Sequence, residues 1–161
     1  MHPALSYVTP MKTLSLVLLL ACLGGCANMT ADGGSPQALD AQTVQRLYQR
    51  DWDLKGLTVE GLQIIVDVDT RITIRFAPDG QVAGLAAVNR FSGTYSLSNE
   101  GKLSWGRFTA TRSMGPPELM EKEQAYLKGL GKTNVAILAR HILVLQSDDT
   151  STVLRFNEAG Y

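Results

Sequence analysis

The sequence predicts a mainly β domain, a small antiparallel barrel or strongly curled sheet with one packed α-helix. Three observations lead there. Apolar residues recur with period two in short runs from Trp52 onward, turn residues separate those runs, and one long run with helical period interrupts them. A chain of 161 residues, 45% of them hydrophobic, has material for one such domain and for the core that fills it.

Asp40 offers an N-cap, and Val44, Leu47 and Tyr48 fall at helical spacing, which predicts a short helix over residues 41–50. In residues 70–76, Ile72, Ile74 and Phe76 alternate with Arg71, Thr73 and Arg75, the pattern of a half-buried strand. Ala77-Pro78-Asp79-Gly80 carries Pro and Gly where a turn needs them. Residues 81–87, 91–97 and 102–110 read as further strands, with Ser98-Asn99-Glu100-Gly101 between the last two. Leu103 and Trp105 share one face of the 102–110 run, whereas Phe108 and Ala110 share the other. A bulge near Gly106 reconciles them. Gly93 within its strand marks a bulge or a close backbone approach. Pro116-Pro117-Glu118 suits the first turn of a helix, Leu119, Met120, Tyr126, Leu127 and Leu130 form its apolar stripe, and Gly131 closes it. Strands at 134–138, 142–146 and 151–157 follow, separated by Ala139-Arg140-His141 and Ser147-Asp148-Asp149-Thr150. The total is seven or eight short strands, with Trp52, Trp105, Tyr95 and Phe91 as core and rim aromatics.

Residues 1–25 read as an address. Lys12 precedes the uncharged run from Leu14 to Leu23, and Gly24-Gly25-Cys26 follows, the arrangement of a secretory signal peptide. Crossing a bilayer takes about 20 apolar residues, so this run is too short to span one. Met11, next to Lys12, is an alternative start to Met1. Leu23-Gly24-Gly25-Cys26 resembles the lipobox of bacterial lipoproteins, in which the cysteine thiol takes a diacylglycerol and the preceding peptide is removed. Leu19-Leu20-Ala21-Cys22 is a poorer match, because it shortens the apolar run and sets bulky Leu20 beside the small residue. The resemblance implies lipidation at Cys26. With Ala27 rather than aspartate after it, it also implies a lipid-anchored place on the periplasmic face of the outer membrane. Residues 26–39 are small, polar and Gly/Pro-bearing and form a flexible tether, leaving 40–161 as the domain.

The run Gly84-Leu85-Ala86-Ala87-Val88-Asn89-Arg90-Phe91-Ser92-Gly93-Thr94-Tyr95 resembles the signature of the META domain of HslJ-like bacterial lipoproteins, G-x-a-G-C-N-r-f-x-G-x-Y. The stretch from Thr109 to Glu123 resembles that family's second element, T-R-M-A-C-P leading into a helix with L-M-x-x-E. Trp52-Asp53-Leu54 matches the opening W-x-L, and Leu143-Val144-Leu145 with Leu154-Arg155-Phe156 matches the closing hairpin, so the likeness covers about 50–157. It implies a lipocalin-like β fold with a helix across it. It also implies motif residues of structural type at Asn89, Arg90, Phe91, Gly93, Tyr95, Thr111, Arg112 and Glu121. The family's two signature cysteines fall at Val88 and Gly115, and both are missing together, as expected if they normally pair. The functions implied are envelope stress, resistance to apolar drugs or scaffolding, with no catalytic residue to carry over.

Composition narrows the rest. Fifteen Lys+Arg against fifteen Asp+Glu leave no basic field for nucleic acid, and two cysteines with two histidines are too few for most Cys/His metal sites. Asp67 and Asp69 would share a strand face, but no acid-rich loop with a central Gly accompanies them for calcium. His141 falls at a turn, with no G-x-S-x-G elbow and no Gly-rich phosphate loop elsewhere, so neither an enzyme nor a cofactor is expected. Asn89-Arg90 is the strongest candidate surface feature. On the structural reading Asn89 caps a turn through its side chain, a residue type that tolerates left-handed geometry, and Arg90 lies over the sheet edge. Arg112 could pair with Glu121 or Glu123 to hold the loop before the helix. The expected role is non-enzymatic, binding or scaffolding in envelope maintenance or stress tolerance, with an envelope protein as the candidate partner. The alternative is a carrier of a small apolar ligand inside the barrel, which a large apolar cavity would favour.

Overall fold

The computed structural model describes residues 39–67 and 69–160; the expected signal peptide, Cys26 and the tether up to residue 38 lie outside the described residues. Leu39 is already seated, buried with its N–H donated to the Asn99 carbonyl at 2.7 Å. Asp40 caps helix α1 (Ala41–Tyr48) by accepting the Thr43 N–H at 2.6 Å, and the indole of Trp52 donates to the Leu47 carbonyl at 3.2 Å. These contacts fix the helix against the sheet although Leu47 alone of its residues is buried.

Ten antiparallel strands follow: β1 (Asp51–Val59), β2 (Leu62–Ile64), β3 (Ile72–Phe76), β4 (Gln81–Ala86), β5 (Asn89–Leu97), β6 (Leu103–Trp105), β7 (Thr109–Ala110), β8 (Val135–Ala139), β9 (Ile142–Gln146) and β10 (Val153–Glu158). Helix α2 (Pro117–Lys132) separates β7 from β8. The sheet runs β6-β5-β4-β3-β1-β10-β9-β8, with β2 on β1 and β7 on β5. Its two ends meet. The Leu103 N–H donates to Asn134, and the Ala136 N–H donates to Gly101, each at 2.8 Å, around a bridge between Lys102 and Val135. Gly101 has φ 78°, and a Cβ there would stand 2.7 Å from the Ala136 carbonyl oxygen, so glycine is what lets the barrel close.

The sequence expectation of a mainly β barrel with a packed helix is met, and the excess of strands comes from the short β2, which folds back on β1, and from one split run. The 102–110 run is broken into β6 and β7, both paired to β5, with the Gly106 N–H donated to the Thr94 carbonyl between them. Leaving the ladder there lets Trp105 and Phe108 both turn inward, their ring centroids 5.3 Å apart. Gly93 lies under that crossing: a Cβ would meet the Phe108 ring at 2.7 Å, so the close approach, and not a bulge, explains it. A register shift between Leu54 and Gly56 resets the pleat of β1, so that Trp52 and Leu54 before it and Leu57 and Val59 after it all point inward. Asp67 and Asp69 lie in the loop before β3 and not on a strand; the Asp67 carboxylate accepts the Thr70 N–H at 2.9 Å and pairs with Lys122. Gly131 falls inside the last turn of α2, and Thr133 ends the helix, its hydroxyl donating to the Leu130 carbonyl at 2.8 Å.

Side chains fill the interior. Tyr95, Phe76, Trp105, Phe108, Phe91, Tyr126 and Phe156 form one continuous line of ring contacts through it. Helix α2 contributes Tyr126 and Leu130, both without exposed surface, and comes close at Gly129, where a Cβ would stand 2.9 Å from Val59 Cγ2.

Two carboxylates tie the outside of α2 to the sheet. Lys128 and Lys132 donate to Glu60 at 2.6 and 2.5 Å, and the Lys128 hydrogen bond leads in lowering the Glu60 pKa from 4.5 to about 2. The Lys122 hydrogen bond does the same to Asp67, from 3.8 to about 2. A carboxylate depressed in the folded state binds fewer protons than in the unfolded chain, so its contribution is complete above its ordinary pKa and is lost as pH falls toward 2. Thermal midpoints measured from pH 6 to pH 2 should therefore fall most below about 4.5, and the Glu60→Gln, Asp67→Asn pair should flatten that limb.

Candidate functional site

The signature run folds into a polar knot where three segments meet. The Val88 N–H donates to the Ala86 carbonyl at 2.9 Å around Ala87, which has φ 66°, so the chain reverses in a tight turn between β4 and β5. That turn aims two backbone N–H groups at α2. Glu123 Oε2 accepts them from Val88 and Asn89 at 3.2 and 2.7 Å, and Oε1 accepts Asn89 Nδ2 at 2.9 Å. The other half of the Asn89 amide holds the loop between β7 and α2. Its Oδ1 accepts the Thr111 hydroxyl and the Ser113 N–H at 2.8 and 2.7 Å, while Nδ2 also donates to the Ser113 carbonyl at 3.1 Å. Both donors and both lone pairs of the amide are thus used at a residue with 1% exposure.

This corrects several expectations. Asn89 does not cap a turn from the surface: the positive φ falls on Ala87, and Asn89 opens β5 with its amide turned inward. Glu121 is exposed on α2, and the buried motif carboxylate is Glu123, the position that L-M-x-x-E gives when counted from Leu119. Arg112 is exposed, and among the described residues no ion pair joins it to Glu121 or Glu123; Asn89 holds the loop instead. Phe91 is in the core against Phe108 and Tyr126. The Tyr95 hydroxyl donates to the Ala77 carbonyl at 2.8 Å, and burial pushes its pKa above the ordinary phenol value. Thr111 also accepts the Arg90 N–H at 3.2 Å, which seats the loop beside β5. Cys26 lies outside the described residues.

Arg90 lies within the sheet and not at its edge, paired to Leu85 on β4, and its side chain points to the outer face. There it borders an open depression of about 420 Å³ with Arg71, Arg75, Asp51 and Asp53 at the rim and Thr73 and Ala83 on the floor. Arg71 and Arg75 were visible in the sequence as the polar half of an alternating strand. Their convergence with Arg90 needs the register of three strands, which no spacing in the sequence supplies. His141 sits on the β8–β9 turn with Nδ1 2.8 Å from Glu158 Oε2, and Arg50 engages the same carboxylate. Among the described residues no group of three or more His, Cys, Asp or Glu is placed to hold a metal ion.

The family model for the META domain matches residues 45–160. The chain belongs to the META domain family. Similar solved structures include an NMR structure of a protein from Burkholderia xenovorans, with TM-score 0.61 and 23% identity over 80% of this chain and 94% of that one. A second NMR structure has TM-score 0.54 and 26% identity over 71% and 93%. A DUF4847 family protein from Bacteroides vulgatus has TM-score 0.53 and 12% identity over 70% and 94%. No curated protein matches the chain.

Membership sharpens two departures from the META signature. Ala87 stands where the pattern has glycine and carries the positive φ that glycine would take without strain. Val88 and Gly115 stand where the pattern has cysteines, and they face each other. A Cβ built on Gly115 lies 3.4 Å from Val88 Cβ, close to the roughly 3.5–4.5 Å that a disulfide spans.

Two stability tests follow from this geometry. Glu123→Ala strips the acceptor from three N–H groups in a buried setting and should cost on the order of 3 kcal/mol in denaturant unfolding. Glu121→Ala, on the exposed face, should change stability by less than about 0.5 kcal/mol. The Val88→Cys, Gly115→Cys pair should cross-link on oxidation, detected as a linked peptide by mass spectrometry. The oxidised form should be about 3–4 kcal/mol more stable than the reduced form. Equal unfolding midpoints for the two forms would contradict the facing geometry.

Proposed function

We propose that the chain is a non-enzymatic, outer-membrane-anchored periplasmic lipoprotein whose META domain acts by binding or scaffolding in envelope maintenance or stress tolerance. Leu23-Gly24-Gly25-Cys26 after a short apolar run carries the anchoring half of this reading. The filled barrel carries the other half. Trp52, Ile74, Tyr126, Leu143, Leu145, Leu154 and Phe156 have no exposed surface and pack where a carried ligand would have to sit. The alternative of an internal apolar ligand therefore has less to support it than a role for the outer surface. Apolar side chains left on that surface, Leu62 at 73% and Ile65 at 78% exposure, favour a protein-facing role.

The polar knot supports a structural role for the signature. Every polar atom of Asn89 is engaged within the domain, and Glu123 is buried. Neither is presented to a substrate. The experiment that tests the reading is metabolic labelling with palmitate in cells expressing the full chain. Cys26→Ala should abolish labelling and leave an unprocessed precursor, whereas Cys22→Ala should label normally. Undiminished labelling of the Cys26→Ala protein would sink the anchor assignment.

A further inference from the structure

We propose that Arg71, Arg75 and Arg90 form a binding site for a phosphoryl group on the outer face of the barrel, across β3, β4 and β5. The inference goes beyond the anchoring and scaffolding reading and does not depend on it, because it stands on strand register and charge alone.

Thr73, Leu85 and Arg90 stand opposite one another across the three strands. Neighbouring strands are about 4.8 Å apart, so Arg90 starts roughly 10 Å from Thr73, and Arg75 on β3 and Arg71 just before it start about 7 Å to either side of Thr73. All three side chains are exposed and rise from the same face around a floor that includes Thr73, Ala83 and Leu85. They therefore border the depression of about 420 Å³ from three directions.

The charge balance leaves this arrangement incomplete. Asp51 is 3.5 Å from Arg75, and Asp53 is 4.0 Å from Lys55. No carboxylate forms an ion pair with Arg71 or Arg90 among the described residues; Asp69 shares with Arg71 the border of an adjacent depression without pairing to it. Two guanidinium forks thus face the depression with donors to spare, and a third is loosely held. A planar carboxylate accepts such forks chiefly in its own plane. A phosphoryl group has three terminal oxygens spread in three directions, which matches donors arriving from three corners. The same chemistry could come from a soluble phosphate ester or from a lipid headgroup.

The test uses the full chain at low ionic strength, where screening is weak. Pyrophosphate is titrated calorimetrically against the parent and against Arg71→Ala, Arg90→Ala. Loss of the two forks should weaken binding by roughly tenfold or more. Lys102→Ala, which removes one charge elsewhere, should leave binding unchanged, and acetate should bind far more weakly than pyrophosphate. Co-sedimentation with phosphatidylglycerol vesicles separates the sources. Sedimentation that requires the arginines assigns the phosphoryl group to a headgroup, whereas arginine-dependent binding of pyrophosphate without such sedimentation assigns it to a soluble ligand, and either result upholds the site. Both replaced side chains are exposed, so circular dichroism of the variant should match the parent; Arg71→Gln, Arg90→Gln repeats the comparison if the alanine pair unfolds. The proposal is overturned if neither probe binds, if acetate binds as tightly as pyrophosphate, or if the arginine variants bind as the parent does.

Discussion

The carboxylate of Glu123 is the constraint on which the rest of the domain depends. A tight turn between two strands leaves backbone N–H groups pointing out of the ladder, and in a buried setting an unpaired N–H costs about 1–3 kcal/mol. Glu123 accepts two such N–H groups and the amide of Asn89, and Asn89 passes the constraint on to Thr111 and Ser113. One side chain on α2 therefore fixes a hairpin of the sheet and an irregular loop in relation to the helix. Because Tyr126 and Leu130 lie on the same helix one and two turns further on, orienting Glu123 also orients the aromatic line in the core. The knot sits where the sheet, the loop and the helix would otherwise be free to slide.

Closing and filling the barrel has a consequence for where the molecule can act. The sheet closes through two hydrogen bonds and a bridge between the 101–103 stretch and the start of β8, and Gly101 permits the approach. Within that closed wall the rings from Tyr95 to Phe156 are in contact, and the Tyr126 hydroxyl, whose pKa burial drives well above the phenol value, finds no hydrogen-bond partner among the described residues. Rings and aliphatic side chains occupy the interior. The outside is patterned: Arg71, just before β3, Arg75 on β3 and Arg90 on β5 lie on the face opposite the core, and Leu62 of β2 and Ile65 just after it are exposed.

Much of the fold was legible because each element carries its own period. The alternation over Ile72, Ile74 and Phe76 and the prolines before Glu118 placed β3 and the start of α2 close to where they lie. What could not be read was anything set by contact between distant segments. The split of 102–110 depends on Phe108 crossing over Gly93, and the burial of Glu123 in place of Glu121 depends on which face of α2 meets the β4–β5 turn. An amphipathic stripe predicts that a helix has an inner face but gives no account of a carboxylate on it, since the burial of Glu123 is made possible by donors on another element. The Arg71, Arg75, Arg90 cluster was hidden for the same reason: two of its members read as the solvated half of a strand until register set Arg90 beside them.

The loss of the family's cysteine pair is intelligible in these terms. The turn and the loop before α2 are joined here through Asn89 and Glu123, and Val88 and Gly115, the positions where the signature has cysteine, face each other between the same segments. At those two positions the contact is one of packing. Val88 Cγ2 occupies space 2.6 Å from where a Gly115 Cβ would be, so valine fills what a second cysteine would have taken, and glycine gives up the volume that valine gained. Volume-conserving exchanges of this kind disturb a core least. A disulfide closing the loop from 88 to 115 would contribute roughly 3–4 kcal/mol, chiefly by restricting the unfolded chain. The hydrogen bonds of Asn89 and Glu123 act on the folded state instead, and they hold the same two segments in the same geometry without it. The substitution must come in both positions or neither: Val88 opposite a residue with a Cβ would overlap it, and Gly115 opposite a small side chain would leave a gap. The residues at 88 and 115 therefore act as one packed contact between segments whose register the polar knot already fixes.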